Sequence, residues 1–201
     1  MIENKAFFNI SYGLYFISCK SGDKDNACII NTCIQVTDSP KTVCFAINKN
    51  NLTHDILLKE RAFCINILSE DAPFSLFERF GMSSGRDTNK FENIDFTERS
   101  ITGILHLNKY SNALLCGYVS KTVDCGTHTL FYADVTIAKT LSEKPSMTYD
   151  YYFKNVKPKP KTDTKGYVCK VCGYVLNSDT LPEDFICPLC KHPASDFERI
   201  K

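Results

Sequence analysis

Four cysteines near the C-terminal end, spaced as Cys169-x-x-Cys172 and Cys187-x-x-Cys190, constrain this chain more than any other feature. A Cys-x-x-Cys pair lets two thiolates converge on one ion from a single turn. Two such pairs complete a tetrahedral all-sulfur site, the geometry shared by structural zinc and mononuclear iron. Ahead of this segment, Lys157-Pro158-Lys159-Pro160-Lys161-Thr162-Asp163-Thr164-Lys165-Gly166 is rich in Pro and Lys and carries no hydrophobic side chain beyond its prolines. It reads as a semi-extended linker. The chain therefore divides into a domain over residues 1–155, a linker over 156–165 and a metal-binding module over 166–201.

At 201 residues and 43% hydrophobic, the chain can support one medium domain with a real core plus the small module. Its 24 basic and 23 acidic residues balance to +1, which gives no reason to expect a nucleic acid or an anionic membrane as partner. No apolar run approaches the length of a membrane span. The stretch from Met1 to Gly22 carries Glu3 and Lys5 and no uninterrupted apolar core, so no signal peptide is expected. Of eleven cysteines, the seven outside the clasps (Cys19, Cys28, Cys33, Cys44, Cys64, Cys116 and Cys125) are scattered singly through apolar stretches. They read as small buried hydrophobes of a protein in a reducing cytoplasm, not as a disulfide framework.

The first domain reads as mostly β. Residues 12–18, 27–36, 42–48, 62–68, 101–107, 113–123 and 127–140 are rich in Ile, Val, Tyr, Phe, Thr and Cys, several with period-two alternation. Two helices interrupt them: one from Asn50–Asn51 to about Arg61, the other from Pro73 to Phe80, with Phe74, Phe77 and Phe80 on one face and a stop at Gly81. Many strands with few helices predict a β-barrel, and no Gly-x-Gly-x-x-Gly is present to support a doubly wound dinucleotide site.

Three segments carry chemistry. In Ile47-Asn48-Lys49-Asn50-Asn51-Leu52-Thr53-His54 a strand meets a helix N-terminus, a place suited to a phosphate with Lys49 and Thr53 as side-chain partners. Ordinary capping by Asn50 or Asn51 accounts for the same residues equally well. In the run from Asn26 to Val36, Asn31, Thr32 and Gln35 interrupt an apolar strand, as donors and acceptors for a flat heterocycle or as the wet face of a barrel strand. His128, in Gly126-Thr127-His128, sits at a turn, where an isolated histidine is usually structural.

Taken in order, Tyr12-Gly13-Leu14-Tyr15, Asn31 to Val36, Pro40, Ile47-Asn48-Lys49-Asn50-x-x-Thr53, Ser84-Gly85-Arg86-Asp87-x-x-Lys90-Phe91, Gly126-Thr127-His128 and Tyr149-x-x-Tyr152 resemble the flavin reductase-like family. The resemblance covers nearly all of residues 1–155. It implies a split β-barrel that binds FMN and a homodimer. Asn31, Thr32, Cys33 and Gln35 would line the flavin ring; Lys49, Asn50, Thr53 and His54 would hold its ribityl and phosphate groups. Phe80 and the loop carrying Ser84, Arg86 and Lys90 would close over it, and His128 would stand where the nicotinamide cofactor approaches. Cys33 is given a packing role, not a redox one.

The C-terminal segment is similar to rubredoxin, through Cys172-Gly173-Tyr174 and the run from Leu181 to Pro188. Only Gly173 to Ile186 separate the clasps, a short form that resembles the rubredoxin-like tail of rubrerythrins. Phe185 stands where Trp is usual, and the chain has no Trp. The likeness favours iron over zinc, with Cys169, Cys172, Cys187 and Cys190 as ligands.

The two modules together resemble the high molecular weight rubredoxins of anaerobic bacteria. That implies hydride transfer from NAD(P)H to flavin and single-electron steps to iron. A soluble partner of the flavodiiron type, which reduces oxygen or nitric oxide, would then take the electrons. Flavin suits the link because it exchanges electrons in pairs and singly. The alternatives are a flavin reductase that releases reduced FMN and a flavoredoxin-like shuttle that never meets nicotinamide.

Overall fold

The computed structural model describes residues 3–158, 165–170, 173–187 and 193–200. Most of the expected linker lies outside these residues, as do Cys172 and Cys190. The first domain holds nine strands: β1 (Tyr15–Ser21), β2 (Lys24–Ile30), β3 (Cys33–Thr37), β4 (Thr42–Asn48), β5 (Ala62–Leu68), β6 (Thr97–Arg99), β7 (Leu105–Leu107), β8 (Ser111–Asp124) and β9 (His128–Thr140). Its helices are α1 (Leu52–Glu60), α2 (Phe74–Phe77) and α3 (Tyr149–Tyr151). The protein is mainly β, as the strand-rich sequence predicts.

One sheet runs in the order β2-β1-β5-β8-β9-β4-β3, every pair antiparallel. Its edges, β2 and β3, are consecutive in the chain and joined only by Asn31 and Thr32. Three virtual bonds span at most ~11 Å, so the sheet must curl until its edges nearly meet. The result is a barrel split along the β2–β3 seam, with Asn31 and Thr32 crossing the split. The sequence reads 27–36 as one strand. The polar pair in its middle is instead where the chain changes edges, because a continuous strand cannot belong to both sides of the seam.

Alternation sorts the side chains into two cores. Inside the barrel, Ile17, Cys28, Ile30, Phe45, Ile47, Phe63 and Phe131 pack with Ile56 and Leu57 of α1. Phe45 stacks on Phe131 at 5.5 Å and meets Phe63 edge-on at 5.3 Å. Each such ring contributes ~1.5–3 kcal/mol by burial. Outside the barrel, Phe16 and Ala27 face the other way and pack with Leu76, Phe77 and Phe80 beneath α2.

Two local differences from the sequence reading have plain causes. The expected strand 101–107 is β7 alone, preceded by a tight turn in which Gly103 takes φ +77° and donates its N–H to Ser100 O at 2.9 Å. The expected helix 73–80 is α2 followed by a π-type turn, Glu78–Met82, so the helical winding runs past Gly81 to Met82. Wide turns of this kind insert a residue and re-aim the side chains after it.

In the second module, β10 (Tyr167–Cys169), β11 (Val175–Leu176) and β12 (Phe197–Arg199) form a small antiparallel sheet with β10 in the middle.

Candidate functional site

A cleft of about 270 Å³ opens at the barrel seam. Asn31 and Thr32 enter it from the β2–β3 crossing, Asn48 from the end of β4, Asn51 from the start of α1 and His128 from the start of β9. These side chains make one polar wall. Leu14, Ile29, Phe77 and Met82 make an apolar one, with Tyr149 and Tyr152 beside them. The tyrosines are brought there by backbone bonds: Leu14 N–H donates to Met147 O at 3.0 Å, and Tyr149 N–H to Tyr12 O at 2.8 Å. Asn51 is the N-cap of α1 yet makes no side-chain capping bond, which leaves its amide to the cleft. One apolar wall and one row of polar donors and acceptors suit a flat heterocycle with polar edges. The residues fit a flavin ring on that chemistry.

Of the residues singled out from sequence, Asn31, Thr32 and His128 meet in this cleft. Lys49 and Asn50 flank it on the β4–α1 turn: Lys49 Nζ donates to Asp124 Oδ1 at 2.7 Å, and Asn50 N–H to Asn48 Oδ1 at 2.9 Å. Cys33 packs against the inner core, and burial pushes its thiol up to about 12, so it stays protonated. Gln35 is exposed on edge strand β3 and donates its amide to Thr37 O at 3.2 Å.

The structure places the remaining expected residues away from the cleft wall. Thr53 is buried, its hydroxyl accepting from Asn26 Nδ2 at 2.8 Å. His54 is buried with Nδ1 3.0 Å from Asp55 Oδ1 and Nε2 2.9 Å from Thr129 Oγ1. A carboxylate only accepts, so Nδ1 carries the proton. The His54 bond first, and then the Arg86 guanidinium at 2.5 Å, hold the Asp55 carboxyl below its ordinary range. Arg86 thus anchors its loop to α1, and Ser84 Oγ accepts the Arg86 N–H at 3.1 Å. Phe80 is fully buried, edge-on to Phe16 at 4.9 Å. Lys90 is buried and donates to Ala27 O at 3.0 Å and Phe80 O at 3.1 Å, and burial lowers its pKa. The loop expected to cover a flavin is therefore clasped to β2 and α1. Sequence reasoning passed over Met82 and Phe77 as cleft residues, because nothing local announces the π-type turn. The Tyr149-x-x-Tyr152 spacing, one helical turn, did carry a signal.

In the second module, Cys169 and Cys187 are both fully buried and lie in one cluster with Phe197. Phe185 meets Phe197 edge-on at 5.3 Å. Gly173, at φ +80°, closes the first knuckle by donating its N–H to Cys169 O at 2.8 Å, a conformation that favours glycine. Two thiols from different clasps, brought together in a dry pocket, fit a thiophilic metal. Among the described residues no three metal-binding side chains cluster, two of the four cysteines lying outside them.

Residues 7–159 match the flavin reductase like domain. The chain belongs to the flavin reductase-like family. It is an oxidoreductase, and residues 167–198 match the rubrerythrin, rubredoxin-like domain. The chain is 33% identical to a high molecular weight rubredoxin of Moorella thermoacetica, over 99% of this chain and 100% of that one. It is 31% identical to a ferric-chelate reductase (NAD(P)H) of Archaeoglobus fulgidus, over 81% of this chain and 96% of the other. Among solved structures, an NADH:FAD oxidoreductase of Streptomyces globisporus has a TM-score of 0.66 at 18% identity, covering 74% of this chain and 90% of that one. An FMN-binding protein of Thermus thermophilus has a TM-score of 0.63 at 18% identity, covering 80% and 83%. These likenesses establish the fold for the family member described here.

Proposed function

We propose that this chain takes electrons from NAD(P)H through FMN held in the seam cleft to one iron bound by Cys169, Cys172, Cys187 and Cys190, and then to a soluble partner of the flavodiiron type. The observation that carries the reading is the joining, in one chain, of a two-faced cleft at a barrel seam and a buried thiol pair. Flavin supplies the exchange between hydride and single electrons. The protein supplies placement. Asn31, Thr32, Asn48 and Asn51 orient polar edges, and the apolar wall of Leu14, Ile29 and Phe77 excludes water. Lys49 offers a cation to a phosphate, and His128 marks the open side where nicotinamide would approach.

Homodimer formation is part of the reading: Ile34, 62% exposed, and Val36 present apolar surface on edge strand β3 that a second copy would cover. Among the described residues no helix is long and apolar enough to cross a membrane. The many buried cysteines suit a reducing compartment, and on that ground we place the protein in the cytoplasm.

An anaerobic NADH titration followed by visible spectrum tests the proposal. Bleaching of flavin and ferric-thiolate bands together is the expected result. Flavin bleaching without the iron bands would overturn it in favour of a reductase that releases reduced FMN. That second reading draws on the 84–90 loop, which is clasped to α1 and β2 and not to the cleft wall. A flavin unmoved by NADH and NADPH would leave a protein-to-protein shuttle.

A further inference from the structure

Met82 belongs to both sites. It lines the seam cleft, and it packs against the cluster formed by Cys169, Cys187 and Phe197. A second line of contacts runs beside it. Tyr149 of the cleft meets Phe153 edge-on at 4.8 Å, and the Lys157 ammonium lies 4.5 Å over the Phe153 ring. Lys157 Nζ also donates to Lys170 O, inside the first cysteine clasp, at 2.6 Å. Residues 157 and 158 line the same crevice as Val168, Cys169 and Gly173.

We infer that the metal module is seated at the mouth of its own chain's cleft, with Met82 as the shared wall through which electrons pass and the Lys157–Lys170 bond as the latch. The inference rests on the reading of the cleft as a flavin site and of the thiols as a metal site. Each transfer would oxidise the flavin by one electron and reduce ferric iron to ferrous, and over the two transfers the hydrogen that the hydride placed on the flavin would leave to solvent as a proton. One hydride from NAD(P)H brings two electrons, so the iron must hand on one before it takes the other. A thioether is a sensible wall, being polarisable and able to fit an irregular gap against both thiols and an aromatic surface. Donation by Lys157 to a carbonyl beside Cys169 holds the clasp without adding a side-chain ligand.

Proximity is measured directly, without turnover. The chain has three methionines, Met1, Met82 and Met147, so methyl-labelled methionine gives three resolvable signals. Full-length protein is loaded with ferric iron or with zinc. The Met82 methyl signal should be present with zinc and lost or strongly shifted with iron. Met147, buried in the core under α2, is the internal comparison. A Met82 signal unchanged by iron overturns the seating. Labelled zinc-loaded chains mixed with unlabelled iron-loaded chains should keep a sharp Met82 signal; its loss there would assign the contact to a neighbouring chain and overturn the in-chain route. In the iron-loaded protein, Lys157→Ala should restore the signal, and persistence of the loss overturns the latch. None of these readings uses flavin or nicotinamide, so they fail separately from the NADH titration.

Discussion

His54 Nε2 and Thr129 Oγ1 lie 2.9 Å apart, a bond that ties α1 to β9 across 75 positions of the chain. Through Asp55 the same histidine is linked to Arg86 and so to the 84–90 loop. The imidazole also meets Phe131 edge-on at 5.8 Å. His54→Ala removes a buried ring and strands the Thr129 hydroxyl, and should cost about 2–4 kcal/mol in urea unfolding. Arg86→Ala breaks an exposed ion pair and should cost at most ~1 kcal/mol. Equal losses would show that the relay works as a unit.

Lys49 and Asp124 pair at 2.7 Å beside the cleft, and Gly126 N–H donates to the same carboxylate oxygen at 2.8 Å. The Lys49 bond first, then the Gly126 bond, hold the Asp124 carboxyl below its ordinary range. If Lys49 serves the FMN phosphate, Asp124 competes for it. Lys49→Ala should weaken FMN binding about tenfold by flavin fluorescence titration, whereas Asp124→Asn should tighten it. Unchanged affinity in both variants would remove Lys49 from the phosphate site.

Gly117 lies where β8 bulges against β9, and a Cβ there would stand 1.9 Å from Asp134 O. That atom is backbone inside a sheet and has nowhere to go. Gly117→Ala should lower stability by about 2 kcal/mol in urea unfolding, through strain in the longest strand pair of the barrel. A wild-type midpoint would mean that the β8–β9 register is free to slip.

Alkaline pH should destabilise the fold. Burial raises the thiols of Cys19, Cys28, Cys33 and Cys44 above their ordinary range, Cys33 to about 12. In the unfolded chain they ionise near ~8.5. Above that pH the unfolded state releases protons that the folded state keeps, so this stability is complete below ~8.5 and is lost as pH rises toward the folded values. Each thiol contributes a slope of up to ~1.4 kcal/mol per pH unit. Lys90, lowered by burial, and Cys64, lowered by its bond to Cys116, pull the other way, while Cys116 and Tyr15, both raised, add to the loss. Urea midpoints should therefore fall between pH 8 and 10, and a flat profile would contradict the buried thiols.

Much of the architecture was legible because strand patterning is local. Residues 42–48 and 62–68 alternate and read directly as β4 and β5. The helix at the β4 turn was visible from its Asn pair and ends at Arg61, in the left-handed region at φ 66°. The site was only partly legible. Asn31 and Thr32 looked like interruptions of a strand, and what they interrupt is the sheet's closure. By the family resemblance Arg86 and Lys90 belong to a loop that closes over the flavin; in this structure a carboxylate and two carbonyls hold them.

What this sequence determines by itself is chemistry that works at short range: two cysteine clasps, alternating strands, a proline-rich divide and the family those motifs belong to. Which side chains share a cleft was decided by tertiary structure. A barrel seam brings residues 31, 51, 82, 128 and 149 together through the pairing of distant strands and a π-type turn. Met82 stands beside the buried thiols of the metal module for the same reason. Pairing and packing energies depend on contacts between remote segments, and no window of sequence contains both partners.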